Sequence, residues 1–356
     1  MAFLKFDNVR IAGMAGGVPR SIKNNAEGIS TSGNYDAEAF IETTGVAERR
    51  VSPTLTTADM CYEAAEQLLS DLQWGKDEID ILIFVTQTPD YCVPANSCIM
   101  QDRLGLPKDC YAEDVSLGCS GWVYGLCNVS SLLENGENKK ALLMVGDGRR
   151  RSLEEDDPLF GFAGVVTALE YQEGSNPILF NFGTDGSGFD AIIIPDGGCR
   201  YPTSIDSFKY ENVDGHQLNR LQTRMKGMDV FSFGITTAPK SVKRLAEHFN
   251  FEIGDYDYLL LHQANMKMNN MIAKKLNFEK ERVPSSMYHF GNTSSASIPL
   301  TIVTELKDEV KNPTKLLCCG FGVGLSWGTV ALTVDKLVVS NLVELDDNQI
   351  DHKHVI

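Results

Sequence analysis

The sequence has little basic charge: 32 lysines and arginines stand against 48 aspartates and glutamates, a formal net charge of −16. Nucleic acid is thereby disfavoured as a partner, because binding it draws on basic surface to displace phosphate counterions. No apolar run approaches the length of a membrane span. The longest, such as Ile81–Val85 and Tyr258–Leu261, are strand-sized. The opening residues Met1-Ala2-Phe3-Leu4-Lys5-Phe6-Asp7 lack a basic start followed by an apolar core, so no secretory signal is expected. C-x-x-C pairs are missing too. Nine cysteines, an odd number, argue against a disulfide framework and a zinc site, and fit a reducing cytoplasm.

What is present is enough apolar sequence, 43% of 356 residues, for one large domain or two fused halves. Asp80-Ile81-Leu82-Ile83-Phe84-Val85 is a continuous apolar run ending at Thr86-Gln87-Thr88-Pro89. Runs of that kind belong to sheets covered on both faces, usually parallel ones. Asp257-Tyr258-Leu259-Leu260-Leu261-His262-Gln263-Ala264 echoes it, Lys315–Gly320 echoes Lys140–Gly146, and Tyr288–Leu306 echoes the strand and helix around Cys119. The chain therefore reads as two copies of an α/β unit, residues 1–172 and 173–335, with a tail at 336–356 that is expected to fray. Thr57 is the expected cap of a helix running to Leu69. Pro195–Lys226 reads as a polar, irregular segment, either a lid over a site or an insertion loop. His352 and His354 in the tail are not assigned to a metal.

The stretch Asp114-Val115-Ser116-Leu117-Gly118-Cys119-Ser120-Gly121-Trp122 carries the candidate chemistry. Cys110–Val115 reads as a short buried strand, and Val123, Leu126, Cys127, Leu132 and Leu133 recur at roughly helical spacing after it. Cys119 thus falls at a strand-to-helix turn among small residues, where the helix dipole and unpaired N–H groups favour a thiolate. His262 ends a buried strand, and Asn292 lies in a glycine turn, Phe290-Gly291-Asn292-Thr293, ahead of a helix. Singly, each has an ordinary explanation as a small buried thiol, a hydrogen-bonded core histidine or a turn asparagine. Together they make sense for thioester chemistry: a nucleophile takes an acyl group, and two neutral N–H donors hold a developing oxyanion. All three fall at or just beyond the carboxyl ends of strands, where open α/β sheets gather ligands.

Asp114–Gly121, His262-Gln263-Ala264-Asn265, Gly291-Asn292-Thr293-Ser294-Ser295-Ala296 and Gly320-Phe321-Gly322-Val323-Gly324-Leu325-Ser326-Trp327-Gly328, in that order, resemble the signatures of 3-oxoacyl-acyl carrier protein synthase III. The resemblance runs over about residues 8–335. It implies the thiolase fold, two duplicated α/β halves in a five-layer α-β-α-β-α sandwich. It also implies an acyltransferase of fatty acid or related specialised biosynthesis. Cys119 would be acylated, and His262 and Asn292 would assist decarboxylation of a malonyl thioester. The carbanion would then attack the acyl-Cys to give a 3-oxoacyl thioester. Backbone N–H groups of Cys119 and Val323 would form the oxyanion hole, although Val323 replaces a glycine common in the family.

Phe231 and Gly322 are added by the same resemblance as substrate contacts. Lys267, Lys274 and Lys275, spaced to share one helix face, would dock an acidic acyl carrier protein. Reversing Lys274 and Lys275 to Glu should therefore weaken carrier-protein use while sparing small thioesters. A homodimer is implied, with Val93 where a larger aromatic of the family reaches into the partner's acyl pocket. No cofactor or metal is expected, only substrates carried on phosphopantetheine of a carrier protein or coenzyme A. Ala39 stands in the place of a family tryptophan that stacks on adenine, and Asp157-Pro158-Leu159-Phe160-Gly161-Phe162 lacks the usual arginine segment, which favours a carrier-protein donor. Arg149, Arg150 and Arg151 read as a surface basic turn or a carrier contact. Two alternatives stay open: acyl transfer from Cys119 to an alcohol or amine, and a catalytically silent partner subunit.

Overall fold

The structure, a computed structural model, describes residues 2–27, 36–148 and 157–348. The first half runs β1 (Ala2–Phe6), β2 (Val9–Pro19), β3 (Ile22–Asn24), α1 (Ala37–Thr44), β4 (Glu48–Arg50), α2 (Thr57–Leu72), β5 (Ile81–Val85), α3 (Asn96–Leu104), β6 (Tyr111–Val115), α4 (Gly121–Leu133), β7 (Lys140–Gly146) and β8 (Gly164–Tyr171). The second begins with β9 (Ile178–Thr184), β10 (Ile192–Ile193), β11 (Glu211–Val213), β12 (His216–Leu218), β13 (Arg224–Met225) and α5 (Gly227–Phe249). It continues through β14 (Tyr258–Leu261), α6 (Met266–Lys275), the one-turn α7 (Met287–Phe290), α8 (Ser297–Glu305), β15 (Thr314–Gly322) and β16 (Ser326–Val334). Two short strands, β17 (Val338–Val339) and β18 (Val343–Leu345), follow.

The duplication is visible strand by strand. One sheet is ordered β17–β2–β8–β7–β5–β6, the other β1–β9–β16–β15–β14. In the first, β2/β8 and β8/β7 are antiparallel, whereas β7/β5 and β5/β6 are parallel. In the second, β9/β16 and β16/β15 are antiparallel and β15/β14 is parallel. Thus β2-β8-β7-β5 maps onto β9-β16-β15-β14 in order and direction. Every residue of β5 is fully buried, as a strand covered on both faces requires.

Three apolar clusters account for the layers. The central one joins α4 and α8 to facing sides of both sheets, through Val85, Val123, Leu126, Phe180, Leu300 and Val330 among others. A second packs α2 and α3 on the outer face of the first sheet, and a third packs α5 and α6 on the outer face of the second. The result is the five-layer α-β-α-β-α sandwich. Burial of each large apolar side chain in these layers is worth roughly 1.5–3 kcal/mol. Gly121 lets α4 approach the sheet, since a Cβ there would lie 2.7 Å from Val85 Cγ1.

Several local expectations change. The tail does not fray at 338–345: β17 and β18 pair in parallel with β2, because Val338, Val339, Val343 and Leu345 find an open edge to cover. In exchange β1 joins the second sheet through β9, so both terminal segments cross the 172/173 boundary. The echo of Cys119's strand and helix is incomplete. Where β6 would recur, Val283-Pro284-Ser285 precedes only the α7 turn, and proline removes a ladder donor. Helix α2 is capped one residue early, by Thr56 in a reciprocal capping box with Asp59. β6 is not buried: it is an edge strand, with Tyr111 47% exposed. The segment 195–226 is polar but not irregular throughout: it holds the β11–β12 hairpin, and it also exposes Tyr201, Ile205, Phe208 and Tyr210.

Candidate active site

Cys119 lies between β6 and α4, with Ser120 at the helix cap position. The backbone N–H groups of Val323 and of Cys119 itself and the Ser294 hydroxyl lie beside its sulfur as donors. The expectation of a thiolate at the helix start is nevertheless not met: burial pushes the thiol up to about 11. Nearby Asp147 adds to the rise, and the three donors only partly offset it. Gly322 presses against Cys119 so closely that a Cβ there would lie 2.7 Å from both its Cβ and its Sγ. That contact brings the next residue's N–H to the sulfur. Valine at position 323 does not interfere, because the contact uses its backbone.

His262 follows β14 and extends the parallel ladder by one bond, its N–H donating to the Cys319 carbonyl at 2.9 Å. Its own carbonyl accepts from Asn269 Nδ2 at 3.1 Å, and Nδ1 sits 2.8 Å from Ser297 Oγ. Phe321 meets the ring edge-on, 5.7 Å between centroids at 86°. Burial pushes the imidazole down to about 3, against a smaller opposing pull from the Ser294 carbonyl. The ring is therefore neutral throughout the physiological range.

Asn292 is held at both ends of its backbone: its N–H donates to the Leu159 carbonyl at 2.8 Å, and its carbonyl accepts from Gly161 at 3.1 Å. The side-chain Oδ1 accepts the Ser294 N–H at 2.9 Å, a turn in which Ser294 takes a left-handed φ of 52°. With its acceptor occupied, the amide has donors to offer. Ser294 links the set, with its hydroxyl at the sulfur and its carbonyl beside the imidazole. Neither Ser294 nor Ser297 is picked out by the sequence; both are ordinary residues of a motif read for its asparagine.

Cys119, His262 and Asn292 all line one cavity of ≈ 520 Å³. Phe231, Gly322 and Val323 line it as well, together with an apolar wall at Ile192, Ile193, Ile194, Met225 and Val230. Thr223 and Met225 bring the 195–226 segment into that wall. Among the described residues the lining carries no lysine or arginine; its ionisable groups are Cys119, Asp147 and His262. Val93 is elsewhere, 82% exposed at the surface. Lys267, Lys274 and Lys275 are all exposed on α6, within the stripe about 100° wide that positions seven and eight apart span on a helix, and Lys275 Nζ donates to the Ile235 carbonyl at 2.8 Å. Ala39 lies exposed on α1, whereas Arg149, Arg150, Arg151, His352 and His354 fall outside the described residues. No group of His, Cys, Asp or Glu side chains suited to hold a metal is found among the described residues.

Comparison with known proteins follows the same lines. Residues 246–334 match the family described as 3-oxoacyl-[acyl-carrier-protein (ACP)] synthase III C terminal. The chain is 31% identical over 346 residues to the beta-ketoacyl-[acyl-carrier-protein] synthase III of Rhodopirellula baltica, covering 90% of this chain and 97% of that one. It is 29% identical over 340 residues to its counterpart in Clostridium perfringens, covering 92% and 99%. Among solved structures, a 3-oxoacyl-(acyl-carrier protein) synthase from Burkholderia xenovorans is similar with a TM-score of 0.88 and 37% identity, over 97% of this chain and 99% of that one. Matched in fold, in length and in the order of its motifs, the chain belongs to the 3-oxoacyl-[acyl-carrier-protein] synthase III family.

Proposed function

We propose that the protein joins an acyl group to a malonyl thioester by decarboxylative condensation, with Cys119 as the acyl carrier. In the first half-reaction the sulfur attacks an acyl thioester, the carrier's thiolate leaves, and the proton from Cys119 ends on that leaving sulfur. The N–H groups of Cys119 and Val323 hold the tetrahedral oxyanion. In the second, the malonyl carboxylate leaves as carbon dioxide, and its electron pair becomes an enolate. Its oxygen is held by Asn292 Nδ2 and the neutral His262 ring. The enolate carbon attacks the acyl carbonyl on Cys119, and collapse releases the 3-oxoacyl thioester and a thiolate that takes up a proton. Each step moves an acyl group, carbon dioxide or a proton, so none calls for a metal or redox group.

The observation that carries this reading is the sulfur's surroundings: two backbone N–H groups and a hydroxyl at the atom itself, and an uncharged imidazole and an asparagine on the same cavity. An acyl carrier protein is the proposed donor and acceptor partner. Support comes from exposed Lys267 and Lys274 on a chain of net charge −16. The proposed assembly is a homodimer closing the open edge of β6, supported by the strand's exposure and its terminal place in the sheet. A cytoplasmic site of action is supported by nine unpaired cysteines. No described helix is long and apolar enough to cross a membrane.

A panel of acyl-carrier and acyl-CoA thioesters, followed by mass spectrometry of the peptide containing Cys119, tests the first half-reaction. The expected result is a mass increase by one acyl group on Cys119, larger with carrier-protein donors. An unmodified Cys119 with every donor would refute the reading.

A further inference from the structure

We infer that Ser297 is a positioning residue that fixes the tautomer of His262, its hydroxyl donating to Nδ1 so that the neutral ring keeps its proton on Nε2. The inference rests on the proposed role of His262 as a donor to the malonyl thioester, and extends it to a residue that touches no substrate.

The argument is one of donor and acceptor counting. Ser297 is fully buried at the start of α8. Its Oγ has two polar neighbours, His262 Nδ1 at 2.8 Å and the backbone N–H of Gln263 at 3.4 Å. The amide can only donate, so Oγ accepts there. The hydroxyl's own proton then has one acceptor among the described residues, namely Nδ1. If Nδ1 carried the imidazole proton instead, Oγ would accept twice and its proton would be buried without a partner, an arrangement folded proteins avoid. An Nδ1 that accepts leaves Nε2–H as the ring's remaining polar group, and only that form can donate to an enolate oxygen.

The Ser294 carbonyl lies beside the ring and already accepts the Ser297 backbone N–H. Without the Ser297 hydroxyl, nothing on that side requires Nδ1 to accept, and a ring protonated there would present the Nε2 lone pair to the substrate. The serine therefore decides between a donor and an acceptor in the cavity. Its position is itself braced, because its carbonyl accepts from Thr301 Oγ1 at 2.9 Å, and Thr301 Oγ1 pairs with Ser286 Oγ at 2.8 Å.

The test combines nitrogen NMR with a split of the two half-reactions. In full-length protein labelled with ¹⁵N-histidine, the His262 signal, assigned by its loss in His262→Gln, is expected to show a protonated Nε2 and a bare Nδ1. In Ser297→Ala the tautomer is expected to reverse. Acylation of Cys119 should stay within about twofold, which also shows that the variant folds. Decarboxylation of a malonyl thioester by the acylated enzyme should fall on the order of 10²-fold, the effect of losing one oxyanion donor. Ser297→Thr, which keeps the hydroxyl, should recover most of it. A wild-type ring protonated on Nδ1 would overturn the inference, as would a Ser297→Ala enzyme with unchanged decarboxylation or with both half-reactions equally lost. Wild-type enzyme that acylates but releases no carbon dioxide would instead overturn the condensation reading, and the NMR result would still decide the tautomer.

Discussion

The two halves share a strand order but end it differently. After β5 the first half adds β6 and turns directly into α4, which leaves Cys119 pinned between a strand end and a helix start. After β14 the second half has no such strand. The chain passes through Pro284, the α7 turn and a left-handed Ser294 before α8 begins. That detour brings Ser294 beside the sulfur of the other half and Asn292 into the same cavity. The same frame thus places a cysteine from one copy and an uncharged imidazole and amide from the other on one cavity. Duplication provides two matching strand ends, and a single missing strand makes them chemically unlike.

Removing the contribution of the first half should have the largest effect. Cys119→Ala is expected to abolish acyl-enzyme formation and lower condensation by roughly 10⁴-fold or more, as loss of a covalent nucleophile does. Intact-mass analysis and product formation check it. Changes in the second half should be smaller and selective. His262→Ala or Asn292→Ala should cost about 10²–10³-fold in decarboxylation, with acylation of Cys119 kept within about tenfold. Equal loss of both steps would erase the division of labour between the halves.

The electrostatics give a third way to sharpen the contrast. With the Cys119 thiol pushed up to about 11, the thiolate is a small fraction at neutral pH. Alkylation of Cys119 by iodoacetamide should therefore rise about tenfold per pH unit between roughly pH 7 and 10. A rate already level at pH 7 would mean that the helix start dominates after all. His262, pushed down to about 3, should add no titration step to decarboxylation between roughly pH 5 and 8. The smallest effect belongs to the surface. Lys267→Glu with Lys274→Glu should weaken carrier-protein use several-fold, more at low salt, and leave small-thioester turnover unchanged.

Much of this arrangement is legible in the sequence, for identifiable reasons. The apolar runs at 81–85 and 258–261 declare buried strands, and their echo declares the duplication, because complete burial leaves few residue types to choose from. Cys119 and His262 stand out because each breaks a local pattern just past a strand end, and Asn292 because it sits in a glycine turn, which follows α7 rather than the expected strand. What is not legible depends on distance along the chain. Ser297 matters because it meets a ring 35 residues away, and no spacing rule encodes that contact. The thiol's rise reflects burial under Gly322 and the charge of Asp147, whereas the sequence displays only the helix start that opposes it. Terminal strands are hidden for a similar reason: Val338–Leu345 looks like a tail until β2 presents it with an edge.

The central claim is that side chains from both halves act at one sulfur, and counting carbon dioxide tests it most directly. Enzyme acylated on Cys119, mixed in a single turnover with a malonyl carrier thioester labelled in its free carboxyl, should release one labelled carbon dioxide and form one 3-oxoacyl thioester for each acyl group lost from Cys119. Discharge of the acyl group without labelled carbon dioxide would contradict the account.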